Sequence, residues 1–209
     1  MTRDDVMTLL RLRLEGRTDL DDRIVAEMKF AQSVVMEANP WLPWFLITED
    51  NTLSTVAGVQ SVELPSDFLA EFEEGTVSLT VEGKVTPLTK KDMSVALRQF
   101  PGQGTPQVYS VVGESVLFFP CPDAVYPISL VYYGRDVDMT LANVETAWLK
   151  HAADVVVALV GQAVATKHIM NQTLAASFSS DIAPAWTRLL DKHTAYMEEN
   201  VQRYLGGNS

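Results

Sequence analysis

The hydrophobic period of this chain changes twice, from helical to alternating and back, and that order constrains the fold more than any single motif. Thr2 to Leu14 sets Val6, Leu9, Leu10 and Leu14 on one side and Arg11 and Arg13 on the other, as in a short amphipathic helix. Thr2 caps it, Asp4 and Asp5 suit its positive end, and Gly16 ends it. A second helix is predicted over Asp19–Ala38, entered through Thr18, with Ile24, Met28, Ala31 and Val35 as its apolar face. Asn39-Pro40 stops it, because proline lacks a donor and restricts the residue before it.

Alternation then takes over. Trp44–Thr48 and Thr52–Val56 flank Glu49-Asp50-Asn51 as a hairpin, and Val59–Leu64 alternates as a further strand. Ser66–Phe72, after Pro65, reads as a short helix or turn in which Asp67 is a local cap and Phe68 a plug. Val77–Val81 and Lys84–Leu88 form a second hairpin across Glu82-Gly83. Thr89-Lys90-Lys91-Asp92 has capping-box spacing and opens a helix to Gln99, which Pro101–Gly104 breaks. Gln107–Val112, Val116–Phe119 and Tyr126–Tyr133 then read as a three-stranded meander. Its turns are marked by Gly113-Glu114 and by Pro120, Pro122 and Asp123.

After Gly134 the period is helical again. Asn143 caps a long helix predicted over Val144–Asn171, with Trp148, Ala152, Val155 and Leu159 on one face and Leu149, Val156 and Ala163 widening it. Ala152–Ala165 is apolar nearly all round, so it is buried on more than one side, within the subunit or against a neighbour. A last helix starts at Ser180-Asp181 with Pro184 in its first turn and an inner face of Trp186, Leu189, Leu190, His193 and Met197. The expectation is an α+β fold, a helical bundle built from both termini (1–40 and 140–209) with an inserted antiparallel β-rich domain (41–139).

Chemistry is sparse. The chain of 209 residues carries 16 Lys and Arg against 27 Asp and Glu, a formal charge of −11. That balance argues against sequence-independent gripping of phosphate, while an acidic wall would leave passing DNA mobile. Cys121, the single cysteine, excludes an internal disulfide and reads as a buried structural thiol in a reducing compartment. No secretory h-region opens the chain, and Ala152–Ala165, with Asp154 and Gln162 in it, is too short to span a bilayer. Gly102-Gln103-Gly104 lacks the third glycine of a dinucleotide loop and precedes a strand; Gly113-Glu114-Ser115 lacks the closing glycine of a nucleophile elbow. His151 and Asp154, at i,i+3, form the one pair with acid–base or metal potential, and two ligands fall short of a metal site. No catalytic, cofactor-binding or metal residue is therefore assigned. The pairs Trp41/Trp44 and Tyr132/Tyr133 lack the basic groove that base stacking needs, so they read as core or interface anchors.

The succession of features carries a resemblance. Thr55-Val56-Ala57-Gly58 precedes Leu64-Pro65-Ser66-Asp67-Phe68; then come Gly104-Thr105-Pro106-Gln107-Val108-Tyr109, Pro120-Cys121-Pro122-Asp123, Tyr126 with Leu130-Val131-Tyr132-Tyr133, and Trp148-Leu149 opening the long helix. Over roughly residues 5–200 this resembles the head-to-tail adaptor (connector) proteins of tailed bacteriophages, especially those related to the tail tubular protein A of short-tailed phages. The resemblance implies a non-enzymatic virion protein at the head–tail junction, made in the host cytoplasm. It would form a homo-oligomeric ring, commonly dodecameric, between the portal protein and the tail nozzle or other tail proteins, extending the channel through which double-stranded DNA passes. No cofactor and no membrane are implied. On pattern, Trp148, Val155, Leu159, Trp186 and Tyr204 are the expected subunit and portal contacts. The rival readings are another tail or baseplate ring component and, from a different class, a small hydrolase or ligand-binding domain using His151 and Asp154.

Overall fold

A computed structural model describes residues 1–33, 42–72 and 77–204, the side chains of 201–204 excepted. The helices are α1 (Arg3–Arg13), α2 (Asp21–Ala31), α3 (Met93–Gln99), α4 (Ala147–His151), α5 (Ala153–Val164) and α6 (Gln172–Tyr204). The strands are β1 (Ile47–Asp50), β2 (Ser61–Glu63), β3 (Phe68–Glu71), β4 (Val77–Val81), β5 (Lys84–Pro87) and β6 (Thr89–Lys90). They continue as β7 (Gln103–Gly104), β8 (Val108–Val112), β9 (Ser115–Phe119), β10 (Cys121–Pro122) and β11 (Ile128–Gly134). The fold is α+β. Its two compact units are Met1–Leu46 with Arg135–Glu199, and Ile47–Gly134 with Asn200–Ser209.

The first unit is helical. Thr2 and Asp5 cap α1 reciprocally: the Thr2 hydroxyl accepts from the Asp5 N–H, and the Asp5 carboxylate accepts from the Thr2 N–H at 2.8 Å. Val6, Met7, Leu10 and Leu14 are buried, whereas Leu9, expected beside them, is exposed together with Leu12. Ile24, Met28 and Ala31 form the inner face of α2 as their spacing predicts, after a 3-10 turn at Thr18–Leu20. Val35, Ala38, Asn39-Pro40 and Trp41 lie outside the described residues.

The single helix expected over Val144–Asn171 is in fact interrupted twice. Thr146, not Asn143, caps α4: its hydroxyl accepts from the Leu149 N–H, while Asn143 sits at φ +59. Ala152 leaves helical geometry (φ −139), α5 follows, and Ala165–Ile169 continues as a π-helical turn that ends on left-handed Met170. The last helix begins at Gln172, ahead of the expected Ser180, because the Asn171 side chain accepts from the Leu174 N–H and caps it there. Pro184 is accordingly inside α6 and not in its first turn. The α5 helix packs against α1, α2 and α4, so all four share one core. Its all-round apolarity has this physical cause, with Val155, Val156, Ala158, Val160 and Val164 all buried.

Among the described residues the second unit carries a two-stranded parallel pair of β7 and β10 and two larger sheets. One runs β1-β11-β4-β5, with β3 also on β11; β4 pairs with Ile128–Leu130 and β3 with Tyr132–Gly134, successive stretches of one strand. The other runs β2-β9-β8-β6, with β6 parallel to β8. Val77, Leu79, Ile128, Leu130 and Tyr132 from the first meet Tyr109, Val116 and Phe118 from the second. The outer face of β8 and β9 is apolar too, and Val108 and Phe119 pack on Ala96 of α3.

Several expectations for this region change. The β4–β5 and β8–β9 hairpins form as predicted, with Glu82-Gly83 both at positive φ and Gly113 at φ +60 in the two-residue turns. The meander does not: β8 and β9 pair with each other, but β11 crosses to the other sheet. A strand apolar on both faces needs a layer on each side, which one open meander cannot supply. The Trp44–Val56 hairpin is absent; Trp44–Leu46 is a 3-10 turn and β1 pairs with β11. Within Ser66–Phe72 a strand forms, because Phe68 stacks on Tyr132 (5.5 Å) and Asp67 accepts a 2.8 Å hydrogen bond from its hydroxyl. Thr89 and Lys90 belong to β6, and Asp92 caps α3 instead through the Ser94 N–H. Cys121 is half-buried in β10, less enclosed than its proline neighbours suggested.

Candidate subunit interface

Trp148, Val155, Leu159 and Trp186, four of the five expected contact residues, fall into two places in the helical unit. Trp148 is buried at the start of α4, edge-on to Phe45 (5.1 Å) and to Trp186 (6.3 Å). The Phe45 ring stacks on His151 (5.2 Å), and Trp44 stacks on Tyr196 of α6 (6.0 Å). This aromatic cluster ties α4, the Trp44–Leu46 turn and α6 into one core. Its position is fixed by backbone hydrogen bonding: the Asp136 carboxylate accepts from the Trp148 N–H at 2.9 Å beside the Thr146 cap. Val155 is buried as well. Trp148 and Val155 therefore do their packing within one chain, while Trp186 is half-buried at the cluster's margin. The side chain of Tyr204 lies outside the described residues.

Leu159 lies elsewhere. It lines a groove of about 280 Å³ between α2 and α5, with Phe30, Ala31, Gln162 and Ala163 beside it. Phe30 is 53% exposed there, a large apolar side chain on the rim of an apolar concavity. Sequence reading missed Phe30 because it stands one position outside the stripe of Ile24, Met28 and Ala31.

An ion cluster borders this groove, with Glu27 and Lys167 among its lining residues. Glu27 is buried among the apolar residues of α2, and its carboxylate accepts from Lys167 Nζ at 2.8 Å and meets His168 Nε2 at 3.1 Å. Successive α-helical residues diverge by about 100°, so one carboxylate rarely receives both. The wider π-helical turn over Ala165–Ile169 brings the two side chains to it. Burial pushes the Glu27 carboxyl up, but the hydrogen bonds from Lys167 and His168 outweigh that and hold it below the usual range. Lys167 also lies over the Phe30 ring at 4.6 Å. The signal for this cluster was a carboxylate on the apolar face of a predicted helix.

The one pair with catalytic potential is not brought together. Asp154 accepts from Arg188 of α6 at 2.7 Å, whereas His151 is packed in the aromatic cluster. Burial, with Lys150 and Lys192 nearby, lowers the His151 pKa. Among the described residues no group of three His, Cys, Asp or Glu side chains could hold a metal ion, and no helix is long and apolar enough to cross a membrane.

No curated protein matches this sequence. The family model described as SU10 adaptor protein matches residues 1–203, taking in the aromatic cluster, the groove and both sheets. The chain thus belongs to the SU10 adaptor protein family and is a structural adaptor protein of a phage virion.

Proposed function

We propose that this adaptor assembles as a ring between the portal and the tail nozzle, extending the DNA channel, as in head-to-tail adaptors of the tail tubular protein A type. The helical unit, made from both ends of the chain, builds the ring and meets the portal, and the β-rich unit faces other tail proteins. The observation that carries this reading is the apolar groove of Phe30, Leu159 and Ala163, a concave surface that one chain leaves open. Closed rings need such a surface on every subunit. Trp186, at the margin of the aromatic cluster, and Tyr204, near the end of α6, are the portal-side contacts; Trp148 and Val155 set the shape of the surface from beneath. The formal charge of −11 suits a conduit that does not hold DNA.

The test is the mass of the protein alone and mixed with assembled portal, by mass photometry or sedimentation. Association of many copies per portal is expected, even from a free protein that is monomeric. Absence of any association with intact portal would sink the reading.

A further inference from the structure

We infer that the packing of Trp44 and Phe45 on His151 and His193 is an acid-sensitive latch, which holds the Trp44–Leu46 turn on α4 and α6 while both imidazoles are neutral and releases it when they take up protons. The latch is a device of the single chain and stands whether or not the protein forms a ring.

Two imidazoles share one indole. Trp44 meets His151 edge-on at 5.7 Å and His193 at 6.4 Å, and it stacks on Tyr196 at 6.0 Å. Phe45 lies nearly flat on His151, with 15° between the rings. His151 belongs to α4 and His193 to α6, so the turn is held to both helices by contacts made on histidine. Leu46 ends the turn and β1 begins at Ile47, so the latch fixes where the chain leaves the helical unit.

The surroundings suit neutral rings. Each histidine follows a lysine in sequence, Lys150 and Lys192, and both lysines disfavour a charged His151. Glu145 and Asp136 act in the opposite sense, and each already has a partner. The Glu145 carboxylate accepts from the amino group of Met1 at 2.8 Å, and that of Asp136 from the Trp148 N–H at 2.9 Å. The Trp44–Leu46 turn carries no charge. On α6, Asp191 is exposed and Arg188 is engaged with Asp154, while Leu189, Tyr196 and Met197 stand around His193. The His193 Nδ1 atom is shut off from solvent.

The Phe45 face attracts an imidazolium. Against it stand the desolvation of both rings and the repulsion among Lys150, Lys192 and two new cations. Burial first, then the lysines, lowers the His151 pKa, and burial lowers that of His193. A folded-state value below the unfolded one means that the latch is complete above the ordinary histidine value of 6.5 and weakens as pH falls below it.

The experiment measures amide hydrogen exchange in the full-length protein at about pH 7 and about pH 5.5, with each rate divided by that of an unstructured peptide at the same pH. The Leu46 N–H, which donates to the Pro43 carbonyl at 3.1 Å, reports the turn. Its corrected exchange should rise at least about fivefold at the lower pH and stay level in His151→Gln/His193→Gln. If circular dichroism shows that this variant does not fold, Lys150→Gln/Lys192→Gln takes its place and should reduce the rise by about half or more. The Leu10 amide of α1 should keep its protection throughout. Protection of Leu46 that does not depend on pH, a full rise in the variant, or an equal rise at Leu10 would each overturn the latch.

Discussion

Phe178 of α6 lies so close to Gly161 of α5 that a Cβ placed at 161 would stand 2.2 Å from the ring Cε1. The ring is fully buried and Arg13 of α1 lies over it, its guanidinium carbon 3.9 Å from the centroid. Glycine in mid-helix ordinarily costs about 1 kcal/mol relative to alanine. Here the sign reverses. Gly161→Ala should destabilise by roughly 1–3 kcal/mol, the usual cost of overpacking, read as a lower urea midpoint with unchanged slope. In a Phe178→Ala background, itself about 3–5 kcal/mol less stable, the same substitution should cost nothing. Additive losses would show that the two positions do not meet.

Glu27 supplies a pH signature. Its folded-state pKa is depressed because the hydrogen bonds from Lys167 and His168 prevail over burial. A depressed carboxyl stabilises the fold above the unfolded value, and that contribution fades as pH falls through the folded value. Glu27→Gln should therefore lose roughly 1–3 kcal/mol at neutral pH. The gap from the native protein should stay constant down to the ordinary glutamate value of 4.5 and narrow below it. Thermal melts across pH 3–7 check this; a gap that widens in acid refutes the assignment.

Assembly mutants can be sorted by burial. Trp148 is enclosed between Phe45 and Trp186, so Trp148→Ala should unfold the helical unit, at a cost of about 3–5 kcal/mol, before any interface is tested. Leu159 is half-buried in an open groove, and Leu159→Ala should cost less than about 2 kcal/mol while weakening association. Differential scanning calorimetry beside the portal-binding assay separates the two. A Trp148→Ala protein that melts normally but fails to assemble would return Trp148 to the interface.

Much of the architecture was legible in the alternation of periods. Apart from Leu9, positions expected to share a face of α1 and α2 are spaced as helical geometry demands, and Glu82-Gly83 and Gly113 carry their turns in their own φ angles. What escaped was decided by distant partners. Thr2, Thr146 and Asn171 are equally good caps by composition, and only the packing of α5 and α6 selects Asn171 as a start. Whether β11 joins β9 or β1 depends on which sheet can cover Ile128, Leu130 and Tyr132, and local propensity does not register that. The groove escaped because Phe30, which looks like ordinary helix surface, comes from a segment far in the chain from Leu159 and Ala163.

Tyr132 gives the β-rich unit its own test. Its hydroxyl donates to Asp67 at 2.8 Å while its ring stacks on Phe68, and burial followed by the nearby Asp67 carboxylate raises its pKa well above the ordinary value of 10.0. A raised folded-state pKa contributes stability that is complete below the unfolded value and is lost as pH climbs towards the folded one. The neutral phenol should therefore persist past pH 10 in the folded protein, visible as a tyrosine that fails to ionise in the ultraviolet until alkaline unfolding. Tyr132→Phe should remove that late-titrating group and cost roughly 1.5–3 kcal/mol, since the lost bond is to a charged acceptor. The companion Asp67→Asn keeps an acceptor and should cost less. A full complement of tyrosines ionising near pH 10 with the fold intact would show that the Tyr132 hydroxyl faces water and not Asp67.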